Sequence, residues 1–329
     1  GVCQRHARRH DGEQLSGAWP SATPNLPAPA SLGQALRVQT LKAECVLDAK
    51  AILGEGPVWR AETQDLVWVD IESAKVNCFS PVSGENKTWD VEEKVGLAVP
   101  AENGDLILGM SVGLTRLNLE SGDVSPIVDP EKDLPNNRFN DGKVDPEGRL
   151  WAGTMGLDEA PNVGSLYRLN RNHSADKLFD QVSISNGMAW SADHKSFYYI
   201  DSPTRQVAAF DCDMDVGTVS NRRVAFDLPE GMGYPDGMCI DNEGMLWVAL
   251  WQGWGVARFA PDGELLGKIE VPVERVTSCC FGGDNWDELY ITTASRDLDE
   301  AGRAEQPQAG GVFHCKPGVS GPSTNLYLG

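Results

Sequence analysis

Six times along this chain a short apolar run follows a turn rich in Gly, Asn or Asp. The runs are LVWV (66–69), LILG (106–109), LWAG (150–153), FYYI (197–200), LWVA (246–249) and LYIT (289–292), and their first residues lie 40, 44, 47, 49 and 43 positions apart. A period of that length belongs to propeller repeats. Alternation and short apolar runs dominate, and helical 3.6-residue periodicity is nearly absent over any window of a dozen residues. The turns have a mechanism as well: in Asp145-Pro146-Glu147-Gly148 the Pro presets the second position and the Gly takes the left-handed one. An all-β chain of this kind has to protect its sheet edges, and closing a ring of sheets does so. The repeat therefore predicts a six-bladed β-propeller of four-stranded antiparallel blades. A β-sandwich would explain the short strands but not the long repeat. The segment from Leu41 to Leu47 and the strand at 311–315 are expected to complete one blade from both ends of the chain.

Ten or eleven residues before each run stand Glu55, Gly96, Asn140, Asn186, Asp236 and Ser278. Equivalent positions in radially arranged blades converge on one axis. Four of these six side chains carry a carboxylate or a carboxamide, so the phase implies a ring of oxygen ligands.

Bulk properties narrow the partners. The formal charge is -20, from 48 acidic and 28 basic residues among 329. Such a field repels nucleic acid and anionic membrane and favours cations. No run approaches the ~20 apolar residues of a membrane span. The eight Cys residues show no CxxC spacing, and several fall inside apolar strand-like runs, where they act as small hydrophobes. Reduced thiols and a cytoplasmic setting are the expectation. Residues 1–36 are polar and rich in Pro, Gly, Ala and Ser, and read as a disordered extension, with residues 37–329 as a single propeller domain. No exposed apolar element demands an oligomer or an obligate protein partner, which makes a monomer the default.

Five stretches are recognisable: LGEGPVW (53–59), NNRFNDGKVDPEGRLWAGTM (136–155), FDQVSISNGMAWSADHKSFYYIDS (179–202), PDGMCIDNEGMLWVA (235–249) and TSCCFGGDNWDELYIT (277–292). In these the chain resembles the senescence marker protein-30 family, also called regucalcin, whose members include gluconolactonases. The resemblance implies a six-bladed propeller with one divalent metal near its axis, and hydrolysis of sugar-acid lactones. Carried onto this chain, the family's metal ligands fall on Glu55, Asn186 and Asp236, and its substrate-contacting residues on Arg138 and Asn140. One position departs: where the animal proteins carry Glu, this chain has Asp158, followed by Glu159.

Two carboxylates and a carboxamide oxygen make a hard ligand set that suits Ca²⁺, with Mg²⁺, Mn²⁺ or Zn²⁺ as alternatives. Lactone hydrolysis needs an activated water, a polarised carbonyl and help for the leaving alkoxide. Asp236 is the candidate general base, since a carboxylate beside a metal also orients water, with Glu55 and Asp158 as alternatives because metal binding lowers a carboxylate's basicity. Arg138, Asn140 and Asp158 are candidate contacts for a sugar lactone. Two other functions compete: a non-catalytic calcium-binding regulatory protein, and a metal-dependent hydrolase of another ester or a phosphotriester. Two motifs are expected to be inert. Gly109-Met110-Ser111-Val112-Gly113 satisfies GxSxG but is followed by a strand pattern rather than a helix. Asp211, Asp213 and Asp215 mimic a calcium loop whose Gly and final Glu are missing from their places.

Overall fold

The computed structural model describes residues 39–329. The expected disordered extension over residues 1–36 lies outside the described residues. The ring has six sheets. Blade one comprises Gly54–Arg60, Asp65–Asp70, Lys75–Phe79 and Asn86–Asp90, and blade two comprises Val95–Pro100, Leu106–Met110, Gly113–Leu117 and Val124–Val128. Blade three holds Asn137–Val144, Leu150–Gly156, Gly164–Leu169 and Ala175–Val182; blade four holds Ser185–Trp190, Ser196–Asp201, Gln206–Asp213 and Thr218–Asp227. Blade five is built from Tyr234–Ile240, Leu246–Trp251, Gly255–Phe259 and Leu265–Glu270, and blade six from Val276–Gly282, Glu288–Thr293, Val312–Cys315 and Glu44–Leu47. All six apolar runs of the sequence are second strands. The first strand of each blade packs against the first strands of both neighbours, which closes a ring around the axis.

The two ends of the described chain close the ring, but in two places. Glu44–Leu47 pairs antiparallel with Val312–Cys315 and completes blade six. Gln39–Lys42 instead joins blade five as a fifth strand, parallel to Leu265–Glu270. The segment read as one strand from Leu41 to Leu47 therefore changes sheets at Ala43, whose N–H donates to Glu270 O (3.0 Å). The added strand covers an edge that would otherwise expose unpaired backbone groups.

The inner strands are buried along nearly their whole length, between neighbouring blades, and the outermost strands are mostly exposed. Between blades three and four, Trp151 is fully buried, meets Trp190 edge-to-face (5.4 Å) and lies tilted against Phe197 (4.9 Å). Between blades five and six, Cys239, Cys279 and Cys315 join Trp247, Ile269, Phe281 and Phe313 in one apolar cluster, as small hydrophobes do. The GxSxG run forms a hairpin: Ser111 lies in the turn between two strands of blade two, with its Oγ on Glu93 Oε2 (3.0 Å). The Asp-rich loop is also a hairpin turn, received by Arg149 on Met214 O (2.7 Å) and by Arg168 on Val216 O (2.5 Å).

Candidate metal centre

Every first strand carries a β-bulge near its start. The register breaks between Glu55 and Val58, Val95 and Leu97, Phe139 and Asp141, Ser185 and Met188, Pro235 and Met238, and Val276 and Ser278. A bulge inserts an extra residue and re-aims side chains out of the regular alternation. This is the physical origin of the polar phase in the sequence. Gly96, Asn140, Asn186 and Asp236 sit within the break of their strands; Glu55 directly precedes it, and in blade six Thr277 rather than Ser278 occupies it. Two glycines show how tightly the strands meet here. A Cβ on Gly96 would stand 2.3 Å from Phe139 O, and one on Gly237 would stand 2.1 Å from Ser278 Oγ.

Glu55, Asn186 and Asp236 are buried at this end of the axis, 4–7% exposed. Glu55 Oε2 accepts from Gly56 N (2.8 Å). Burial pushes its pKa up to about 8, and the Asp141 carboxylate adds to the rise, against the Gly56 N–H and Arg138. Burial also raises Asp236 far above the usual carboxylate range, and Glu55 and Asp141 push it further. Asn186 is oriented by a relay: its Nδ2 donates to Ser202 Oγ (2.8 Å), whose hydroxyl donates to Pro235 O (2.7 Å). That fixes Asn186 Oδ1 as the free acceptor, approached at 3.4 Å by Asn140 Nδ2.

Asp141 is the carboxylate that phase reasoning missed. It is buried, its Oδ1 accepts from Gly142 N (2.7 Å), and burial raises its pKa. Strict alternation would aim it away from Asn140, but the bulge at Asn140 cancels the alternation, and Asp141 acts on both Glu55 and Asp236. The motif Asn-Asp-Gly carried the signal, an acid directly beside a phased residue.

Three desolvated carboxylates thus share one end of the axis, and among the described residues none has an ion-pair partner within 4 Å. Nor do any three His, Cys, Asp or Glu side chains among the described residues come close enough together to enclose an ion by themselves. The Asn186 carboxamide would therefore have to contribute. Arg138 and Lys143 offset the charge only in part, and all-oxygen donors without a direct ion pair fit a hard divalent cation.

Arg138 and Asn140 adjoin this group. Arg138 Nη1 donates to Asn140 Oδ1 (2.7 Å) and Phe139 O (3.0 Å), and Asn140 Nδ2 donates to Ser185 O (2.7 Å). Burial pulls the Arg138 pKa down to about 10, while Glu72 and Glu55 hold it up. Arg138 lines a polar cavity of about 350 Å³ together with Glu72, Lys94, Met155, Glu159 and Arg296. Two ion pairs stand in this mouth, Lys94 with Glu72 (2.6 Å) and Arg296 of blade six with Glu159 of blade three (2.9 Å). Asp158 stands on the exposed loop, its Oδ1 accepting from Ala160 N (3.2 Å); Glu159 is the carboxylate that lines the cavity.

The relay predicts a variant. Ser202→Ala frees the Asn186 carboxamide to rotate, and is expected to weaken divalent-cation affinity about tenfold without unfolding the protein. Calcium titration calorimetry beside a thermal melt checks it, and an unchanged affinity would remove Ser202 from the site.

A family model described as "SMP-30/Gluconolactonase/LRE-like region" matches residues 53–295. The chain belongs to that family. Regucalcin of Xenopus laevis is 42% identical over 299 residues, which cover 89% of this chain and all of the relative. Regucalcin of Gallus gallus is 43% identical over 282 residues, 84% of this chain and 94% of the relative. Among solved structures, a luciferin-regenerating enzyme superposes with a TM-score of 0.81 at 34% identity, covering 86% of this chain and 98% of its own. A regucalcin from Agrobacterium tumefaciens, described as a calcium-binding protein, superposes with a TM-score of 0.84 at 27% identity, covering 88% and 98%.

Proposed function

We propose that this member of the family binds one divalent cation of the calcium class at the start of its innermost strands, through Glu55, Asn186 and Asp236 with Asp141 beside them. The observation that carries the reading is the group of desolvated carboxylates that, among the described residues, make no direct ion pair and whose pKa values stay raised despite Arg138 and Lys143 nearby. The calcium-binding description of a relative with the same fold supports it.

A second reading, hydrolysis of sugar-acid lactones at the same place, is favoured by the Arg138–Asn140 pair and the polar cavity beside it. When bound, the cation supplies a Lewis acid for the lactone carbonyl. Arg138 and Asn140 bind and orient substrate oxygens, with Arg138 held in place by Phe139 O and Asn140 Oδ1. Asp236, with the Gly237 N–H on its carboxylate, takes a proton from the attacking water. Glu159 replaces or supplements Asp158 at the mouth.

One experiment separates the readings. Chelator-stripped protein is titrated with Ca²⁺, Mg²⁺, Mn²⁺ and Zn²⁺, and proton release is followed with five- and six-membered sugar lactones. Cation binding with turnover supports the hydrolase, and binding without turnover the calcium-binding protein. No cation binding sinks both.

A further inference from the structure

The carboxylates occupy one end of the axis. At the other end, where the innermost strands finish, lies a second cavity of about 380 Å³. All six blades reach it at equivalent positions, with Val58, Val99, Lys143, Ala189, Cys239 and Cys280, each paired with the second residue of its blade's apolar run; Val144, Ile240 and Phe281 line it one residue further on. Val58 is three residues beyond Glu55, so roughly 10 Å of strand separates the two ends. A strap closes this end from below. Asn242 N donates to Ser320 O and Gly321 N to Trp286 O, both at 2.8 Å, which pins one side of the strap to blades five and six. Asn325 Nδ2 donates to Val144 O (3.1 Å) and Tyr327 N to Pro100 O (2.9 Å), which pins the other side to blades two and three. Pro322, Ser323, Thr324 and Asn325 face the cavity as its floor.

The wall holds one cation with spare donors. Lys143 Nζ reaches from blade three to Met238 O of blade five (2.7 Å), its only hydrogen bond among the described residues. An ammonium has three donors. Asp241, which shares the wall, is already saturated: it accepts from Glu243 N, Met245 N, Trp247 Nε1 and Arg258 Nε at 2.8–2.9 Å. The Lys143 ammonium acts on Asp141 from a distance, but no carboxylate among the described residues pairs with it directly, and it stands at the wall of a largely apolar chamber whose volume lies in the range of small-molecule sites.

We propose that this chamber binds an apolar molecule bearing a single anionic group, a medium-chain or aryl carboxylate. Its carboxylate accepts from Lys143 Nζ, and its tail lies against Val99, Val144, Ala189, Ile240 and Phe281. Apolar walls reward the tail, and a charge-assisted hydrogen bond rewards the head. The chamber lies at the opposite end of the axis from the carboxylates and needs no cation there, although the Lys143 charge also acts on Asp141.

Octanoate, octanol and octylammonium are the probes, titrated calorimetrically into the full chain. Chelator is present throughout, so that no carboxylate is captured by a metal. Octanoate is expected to bind once per chain, octanol about tenfold more weakly, and octylammonium more weakly still. Lys143→Met is expected to reduce octanoate to the octanol level. Thr324→Trp, which fills the chamber from the strap, is expected to abolish binding of both. Absence of octanoate binding, equal affinity for octanoate and octanol, or undiminished octanoate binding by Thr324→Trp would each overturn the proposal. If Lys143→Met does not fold, the head-group series and Thr324→Trp decide it.

Discussion

Asp236→Asn is expected to weaken calcium binding on the order of a hundredfold while the propeller stays folded. Asn keeps the shape and one oxygen of Asp236 but removes a full charge from a buried group of three carboxylates. Repulsion from Glu55 and Asp141 disappears with it. The cation-free protein should therefore gain stability even as the ligand set loses its strongest donor. The sign of the pH dependence follows from Glu55, whose pKa in the fold is raised from 4.5 to about 8. A raised carboxylate binds its proton more tightly in the folded state. Its contribution to stability is complete below the unfolded value of 4.5 and is lost as pH rises through about 8. Cation-free wild type should accordingly lose thermal stability across that window, and calcium, which competes with the protons, should restore it most strongly at the alkaline end. In Asp236→Asn both effects should shrink. Melting temperatures at a series of pH values, with and without calcium, test this. A wild-type profile that is flat in pH and indifferent to calcium would mean that these carboxylates are not a cation site.

Much of the fold was legible because a propeller writes its period into the chain. The second strands are compact apolar runs, and the turns that precede them are so definite that LVWV through LYIT stand at one phase of the repeat. The polar phase was legible for the same reason, although its cause was not. A bulge changes which residues face the axis without changing composition, so Asp141 was passed over while its neighbour Asn140 was found. Contacts between distant loops left no trace either. Glu159 and Arg296 meet across the mouth from blades three and six, 137 residues apart, and only the geometry of both loops brings them together. Nor does residue type say that Gln39–Lys42 joins one sheet and Glu44–Leu47 the next. Both halves have the alternation of an edge strand, and the break at Ala43 is set by where the neighbouring blade presents its carbonyls.

Asp145→Ala should be among the most damaging single substitutions in the ring, costing about 4 kcal/mol. Asp145 is completely buried at the turn that ends the first strand of blade three. Its carboxylate accepts from Glu147 N (2.9 Å), Arg149 N (2.9 Å), Arg149 Nε (2.7 Å) and Trp151 Nε1 (2.8 Å). Removing it strands those donors, one of them on a guanidinium only 10% exposed, and leaving a buried charge unpaired is costlier than deleting a pair. Asp145→Asn keeps an acceptor for the backbone donors and should cost about half as much. Blade five repeats the device: Asp241 holds Glu243 N, Met245 N, Trp247 Nε1 and Arg258 Nε, so Asp241→Ala should rank with Asp145→Ala. Urea midpoints of the three variants check the order, and a loss below about 1 kcal/mol for Asp145→Ala would show that water replaces the carboxylate at little cost. The consequence reaches the axis, because the strand that Asp145 terminates also carries Arg138, Asn140 and Asp141. Loosening its far end should weaken cation binding as well, whereas Asp241→Ala should act on the strand that carries Asp236.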